Sequence, residues 1–326
     1  WQQKFIDEFP SVIKKYRRFI VKAPTGAGKT VLASELIDRF YKGKKIIVLC
    51  HRLVLLEQLH KALSHKHSVR KLEVSDEGPA FENYDIMLST SLRAKGVLND
   101  AIAKADVIII DEAHRVSPNG KGYKRILDAF EEQGKKNAPL IGLTASPERR
   151  TGDQRDQLNL AFDAIIDCAN IEELIEEGVL VKPIYRPHFV HDLNLANIDI
   201  SSGDFPIEKL SNAIIRSSMI DYAIWSYKEE RSKLGVAPIS AWFCADVSVA
   251  EATLAAIEKC GFEAAIVTAK TPIKERMKLL ALHEDGEIEA IVSVGVLAEG
   301  WDNPNCNIIV HLRPTLSKVL WGQSVG

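Results

Sequence analysis

The chain has 326 residues, 46% of them hydrophobic and 26% charged, with a formal net charge of −2. That length allows two domains of ordinary size, each with its own core, and the composition excludes a disordered or fibrous chain. No apolar run approaches the roughly 20 residues that cross a bilayer as a helix, and the first residues lack the apolar centre of a secretory signal. The five cysteines (Cys50, Cys168, Cys244, Cys260, Cys306) stand singly, which suits reduced thiols in the cytoplasm rather than disulfides or a zinc site. Charge is uneven: residues 1–75 carry 16 Lys and Arg against 6 Asp and Glu, so they stand at +10 and the rest at −12. A basic face on the first domain would attract phosphates, although a solvated lysine-rich surface explains the same count.

Short apolar strands alternate with helical patterns along the chain. The predicted strands are 19–22, 45–50, 85–88, 106–110 and 139–143, then 239–244, 264–268, 289–293 and 307–311. Alternation of this kind predicts βαβ units, hence an α/β fold with two doubly wound parallel sheets in tandem. The join is expected near Gly178–Pro183, because the helical run Ile171–Glu177 stops at Gly178 and an extended stretch with Pro183 and Pro187 follows. This gives domains 1–182 and 183–326. The polar stretch Val190–Asn212, with Ser201-Ser202-Gly203, is expected to be a connecting excursion outside the core.

Two motifs carry chemistry. The octet Ala23-Pro24-Thr25-Gly26-Ala27-Gly28-Lys29-Thr30 lies between the strand Phe19-Ile20-Val21 and a helix opening at Thr30. Backbone N–H groups of such a glycine-rich turn, together with the helix dipole, surround a polyphosphate. Lys29 then reaches the β and γ phosphates and the Thr30 hydroxyl sits on Mg²⁺. The general pattern has Gly where Ala23 stands. About eighty residues on, the buried-strand run Asp106–Ile110 ends in Asp111-Glu112-Ala113-His114. Acids at the carboxyl end of a parallel strand lie where ligands bind in open α/β sheets. Asp111 is expected to hold the Mg²⁺ hydration shell and Glu112 to polarise an attacking water. The bland alternative is that the acids only cap a helix start.

Further stretches fall in an order that resembles superfamily 2 DEAH-type helicases and translocases. They are Leu49-Cys50-His51-Arg52 through Gln58, Leu88–Leu92 with Thr90 where many relatives carry Gln, and Leu143-Thr144-Ala145-Ser146-Pro147. In the second half Ala241–Ala245 and Ser293–Asp302 resemble motifs IV and V. Ala at the first position of the phosphate loop is that family's own version. Leu312-Arg313-Pro314-Thr315 and the run to Gly322–Gly326 resemble the branch holding type I and type III restriction motor subunits and RadD-like helicases.

The resemblance implies two RecA-like domains with ATP in the cleft between them and nucleic acid across the outer face of both. It implies that Gln2, in a segment similar to the adenine-recognising Q motif, joins Pro24–Thr30, Gly300 and Asp302 in binding the nucleotide. His114, Thr144 and Ser146 would couple nucleotide state to the rest of the molecule. His51, Arg52, Thr90 and Phe243 would contact nucleic acid, DNA in preference to RNA, largely at the backbone and so without strong sequence preference. Gln323–Gly326 looks like the opening of motif VI, so this stretch is expected to be an excerpt of a longer protein that binds ATP and turns it over poorly without the arginines that follow.

The implied function is an ATP-dependent helicase or translocase. Two alternatives remain open: an ATP-gated nucleic-acid remodelling subunit that never unwinds, and another kind of P-loop NTPase, which would lack the second strand-helix array. Other signals are weaker. Gly322-Gln323-Ser324-Val325-Gly326 matches a hydrolase elbow without its strand before or its Asp and His after. His51, His60, His65 and His67 lack the spacing that aims two rings at one metal. Asp153, Asp156 and Arg149-Arg150 form no nuclease arrangement.

Overall fold

The computed structural model describes residues 1–50, 53–72, 81–90, 101–102, 104–116, 128, 139–145, 147, 158, 161–196, 198–200, 204–297, 301 and 303–316. The chain divides into two compact units, Trp1–Lys182 and Pro183–Gly326.

The first unit is built on one seven-stranded parallel sheet: β1 (Arg18–Lys22), β2 (Ile46–Cys50), β3 (Val69–Lys71), β4 (Ile86–Thr90), β5 (Val107–Asp111), β6 (Leu140–Thr144) and β7 (Ala164–Asp167). Their order across the sheet is β3-β4-β2-β5-β6-β1-β7. β2, β4, β5 and β6 are buried throughout, as strands covered on both faces must be, which explains their unbroken runs of β-branched and apolar residues. Alternate side chains feed two cores. Phe19, Val21, Ile46, Val48, Val107 and Ile109 meet one face, with Phe5 and Phe9 of α1 (Gln2–Lys15), Leu32 and Leu36 of α2 (Lys29–Phe40), and Leu59 and Leu63 of α3 (Leu53–Ser64). Ile20, Ile47, Ile108 and Ile110 meet the other, with Ile102, Leu158 and Phe162. Each such side chain contributes about 1.5–3 kcal/mol on burial, so these two layers hold the unit together.

Two strands escape a reading by pattern. β3 is three residues with a basic centre, Val69-Arg70-Lys71, and β7 lies at the sheet edge, where only alternate side chains are covered. The unit's last helix, α4 (Ile171–Glu176), opens on a reciprocal capping box in which Asn170 Oδ1 accepts from Glu173 N at 2.8 Å. It ends before Gly178, whose φ of +71° is the left-handed conformation that a helix stop favours.

The second unit carries a four-stranded parallel sheet in the order β11-β8-β10-β9. Its elements are α5 (Ile207–Arg216), α6 (Met219–Lys233), β8 (Ser240–Cys244), α7 (Val247–Lys259), β9 (Ala264–Val267), α8 (Ile273–Glu284), β10 (Ala290–Ser293) and β11 (Ile308–Leu312). The Asp246 side chain caps α7, accepting from Val249 N at 2.9 Å. The stretch 190–212 corrects the sequence reading. α5 begins inside it, Leu210 and Ile214 are buried in the core one helical turn apart, and Leu193, Leu195 and Phe205 pack against that core. Within α5 the exposed Glu208, Lys209 and Asn212 lie on one side and the buried Leu210 and Ile214 on the other, as in an amphipathic helix.

Candidate nucleotide site

Sheet order assembles the site. β6 lies between β1 and β5, so the loop after β1, Thr144 at the end of β6 and Asp111 at the end of β5 stand in a row at steps of about 4.8 Å. Ala23 N donates to Thr144 O at 3.1 Å, tying the start of the loop to the middle strand. Gly142 makes the close packing of this row possible. A Cβ there would fall 2.7 Å from Ala113 Cβ and 3.1 Å from Ile20 Cγ1.

The loop turns on two left-handed glycines, Gly26 at φ +75° and Gly28 at φ +80°. Ala27 N closes the turn on Pro24 O at 3.3 Å, Thr25 is half-buried at its crest, and α2 begins at once with Lys29 and Thr30. Lys29 Nζ donates to Pro24 O at 3.0 Å and Ala23 O at 3.3 Å, so the ammonium lies folded across the loop it follows. Burial lowers its pKa, while Glu112 and Asp111 favour the charged form.

Asp111 is buried, and its Oδ1 accepts from Glu112 N at 3.0 Å. Burial raises its pKa first, the neighbouring Glu112 carboxylate raises it further, and Lys29 opposes both. Glu112 has φ +51° and ψ +50°, alone among the described non-glycine residues in the positive-φ region. Such a conformation costs about 1–3 kcal/mol and persists where surrounding structure enforces it, as it commonly does at functional sites. His114 Nδ1 lies 2.9 Å from Thr144 Oγ1 and 3.2 Å from Glu112 Oε2, which links the second acid to the middle strand through one imidazole.

Lys29, Thr30, Asp111, Glu112, His114 and Thr144 therefore share one end of one sheet. The arrangement also contains contacts that the motifs did not announce. Gln2 Nε2 donates to Gly28 O at 2.9 Å and Ala27 O at 3.4 Å, and Trp1 Nε1 donates to Ala27 O at 3.0 Å. The first turn of α1 thus grips the carbonyls of the loop. The likeness to the Q motif marks Gln2 for the nucleotide, while its hold on the loop carbonyls, and that of Trp1, has no signal in sequence.

Other expected site residues lie elsewhere. Thr90 ends β4 and is 7% exposed. Phe243, in β8, is also 7% exposed, and its ring stacks on His311 at 5.3 Å, so its side chain serves the core of the second unit. His51, Arg52, Ser146, Gly300 and Asp302 lie outside the described residues, as do Arg149-Arg150, Asp153, Asp156 and Gly322–Gly326. His67 pairs with Asp38, and among the described residues no three His, Cys, Asp or Glu side chains gather as a metal site. Among those residues, too, no helix is long and apolar enough to cross a membrane.

The residues present fit a magnesium nucleotide. An ammonium that donates to the carbonyls of its own loop can turn to phosphate, and a hydroxyl at the helix start with a buried carboxylate at a strand end offers hard oxygens to a divalent cation. A glycine-rich loop leading into a helix, with an acid at the end of a nearby parallel strand, defines the class of P-loop proteins.

Comparison with known proteins narrows the class. Residues 1–149 match the family described as "Type III restriction enzyme, res subunit", and residues 239–326 match "Helicase conserved C-terminal domain". A "51.5 kDa protein" of a Lactococcus phage is 25% identical over 93% of this chain and 61% of its own length. The "Putative ATP-dependent helicase IRC3" of Saccharomyces cerevisiae is 26% identical over 100% of this chain and 48% of its own. The chain thus spans about half to three-fifths of these relatives. The crystal structure of the Pyrococcus furiosus Hef helicase domain has the same fold, with TM-score 0.58 and 16% identity over 98% of this chain and 91% of that one. The chain belongs to the superfamily 2 helicases, is related to restriction-type motor subunits, and has their RecA-like α/β fold.

Proposed function

We propose that the protein is an ATP-dependent helicase or translocase that moves along or unwinds nucleic acid, DNA in preference to RNA, in the cytoplasm. The observation that carries the reading is the row formed by the loop that follows β1 and leads to Lys29, Thr144 at the end of β6 and Asp111 at the end of β5. Lys29 leaves its carbonyls for the β and γ phosphates, and the N–H groups of Gly26–Thr30 cradle them. Thr30 and Asp111 would hold Mg²⁺, which when bound would neutralise phosphate charge. Glu112 orients a water and takes its proton. His114, bridging Glu112 and Thr144, reports the state of that carboxylate to the middle strand. Gln2 holds the loop through Gly28 O and would border the nucleotide.

Gly300 and Asp302 are proposed as further nucleotide contacts from the second unit, and Ser146 as a partner of Thr144 in coupling. His51, Arg52, Thr90 and the segment from Phe243 to Asp246 are proposed to meet the nucleic-acid backbone. Such contacts are largely sequence-independent and weaken with salt. The proposed preference for DNA is supported by the match of residues 1–149 to a restriction-enzyme subunit family. The five free cysteines support a reducing compartment.

The test is strand displacement by the full-length protein, run beside ATP hydrolysis in the presence of single-stranded DNA, duplex DNA and RNA. Unwinding with hydrolysis stimulated most by DNA is the expected result. Hydrolysis without displacement or translocation assigns the protein to the ATP-gated remodelling class instead. Glu112→Gln should keep ATP binding and lose hydrolysis by about 10²–10⁴-fold.

A further inference from the structure

The positive charge gathered in residues 1–75 is not used by the proposed nucleotide chemistry, and the first unit collects part of it in one place. α1 opens beside the glycine-rich loop, where Gln2 binds Gly28 O, and α2 opens from the same loop at Lys29. Both helices therefore run back along the sheet and finish at the amino ends of its strands. α2, with 12 residues at 1.5 Å each, covers about 18 Å on the way. The Phe9 ring of α1 meets Phe40 at 4.7 Å and Tyr41 at 6.1 Å, which keeps the two helices side by side. Beyond that contact the chain is basic. Lys14 and Lys15 close α1, Arg17 stands just before β1, and Lys42 and Lys44 flank Gly43 in the turn after α2. Gly43 takes φ +71°, and Lys44 N donates to Tyr41 O at 2.9 Å. Burial pushes the Tyr41 phenol up and the Arg17 charge opposes it, which sets that guanidinium close to the same turn.

All five cations are exposed, and none has a carboxylate partner among the described residues. The acids along the same edge are engaged elsewhere: Asp85 with Lys45 Nζ at 3.1 Å, Asp106 with Lys45 N at 2.9 Å and Asp163 with Arg18 N at 3.2 Å. Lys14 and Lys15 also answer the carbonyl end of α1, but Arg17, Lys42 and Lys44 lie outside any helix. Like charges gathered without counter-charge oppose the compact state, and an anionic partner removes that cost. Residues 1–22 and 41–45 expose no large hydrophobic side chain, which the core of a protein interface or a membrane-bound face would need. A purely basic surface suits a phosphate backbone, which is held by charge and carries no sequence information. We propose that Lys14, Lys15, Arg17, Lys42 and Lys44 form an accessory nucleic-acid contact at the amino end of the first sheet. It stands at the opposite edge from Thr90, which ends β4. This rests on the proposed action on nucleic acid.

The experiment titrates the full-length protein with labelled duplex DNA over a range of salt concentrations. Two double variants, Lys14→Gln with Lys15→Gln and Lys42→Gln with Lys44→Gln, are compared with wild type. Lys228→Gln with Lys259→Gln, at two exposed lysines of the second unit, serves as the control. Each patch variant should raise the dissociation constant for DNA at least about fivefold near physiological salt. Each should also lower the slope of log affinity against log salt by about 1.8, the value for two lost phosphate contacts at about 0.9 each. Arg17→Gln alone should lower it by about 0.9. ATP affinity without DNA and the thermal midpoint should stay at their wild-type values, because the substituted side chains are exposed and stand at the far end of the sheet from the loop. An unchanged slope in both patch variants, or an equal fall in the control, overturns the proposal. So does an unchanged slope with lost binding to polyglutamate or to phosphatidylserine vesicles, which would assign the patch to an acidic protein or a membrane. A wild-type protein that binds neither DNA nor RNA overturns the proposed function itself.

Discussion

Two carboxylates, one in each unit, Asp111 buried and Glu289 half-buried, both lose water to the protein and answer that loss oppositely. Glu289 in the second unit receives both guanidinium contacts of Arg231, at 2.7 and 3.0 Å, and the Tyr227 hydroxyl. Burial pushes its pKa up, but those hydrogen bonds outweigh it and the net shift is downward. Arg231 is also held over the Phe262 ring at 4.6 Å, and Tyr227 continues through Ser240 Oγ to Trp242 Nε1, so the chain of bonds closes on itself. Asp111 in the first unit has a backbone N–H and the field of Lys29, and its pKa rises. A carboxylate whose charge is answered within the protein braces the fold, whereas one whose charge is answered less fully is poised for a cation from outside.

The largest test of that contrast is Lys29→Ala. It should lower kcat/KM for ATP by about 10²–10³-fold while leaving much of the nucleic-acid affinity, because the ammonium answers phosphate rather than bracing the fold. Simultaneous loss of both activities with a cooperative unfolding transition at lower temperature would mean that Lys29 is structural. Gly142→Val comes next. The added carbons have no room against Ala113 and Ile20, and overpacking of this kind costs about 1–3 kcal/mol, measurable as a lower denaturation midpoint.

Arg231→Ala should cost about 1–3 kcal/mol through the acceptor it strands, with ATP affinity unchanged. The acid supplies a matching pH signature. Glu289 is held below its ordinary value of 4.5, so its ionised form stabilises the fold fully above that value, and the stabilisation fades as pH falls through the lowered one. Glu289→Gln should flatten stability against pH in that acid range, and an unchanged slope would remove Glu289 from the account. The smallest effect expected is Asn170→Ala, which removes the α4 cap for about 1 kcal/mol by chemical denaturation.

Much of the first unit can be read from sequence because its central strands are unbroken apolar runs and its loop is marked by glycines that the backbone requires at φ +75° and +80°. The edges are less legible. β3 carries Arg70 and Lys71 where a strand signal wants apolar residues, and β7 is covered only on alternate positions. Local pattern misled at 190–212, where the exposed Glu208, Lys209 and Asn212 of α5 hid the buried Leu210. The site is legible as residue types but not as a layout. That β6 separates β1 from β5, and so sets Thr144 between loop and acid, depends on strand pairing at long range, which no window of sequence contains.

Gly28 has to stay bare for two unrelated reasons. Its backbone is left-handed, and a methyl group there would come within 2.6 Å of the Gln2 amide nitrogen that binds its carbonyl. An alanine at residue 28 would therefore act like a wedge, prising the opening turn of α1 off the loop even if the torsion were tolerated. Residues 2 and 28 form a matched pair, and redesign of either end needs a compensating change at the other.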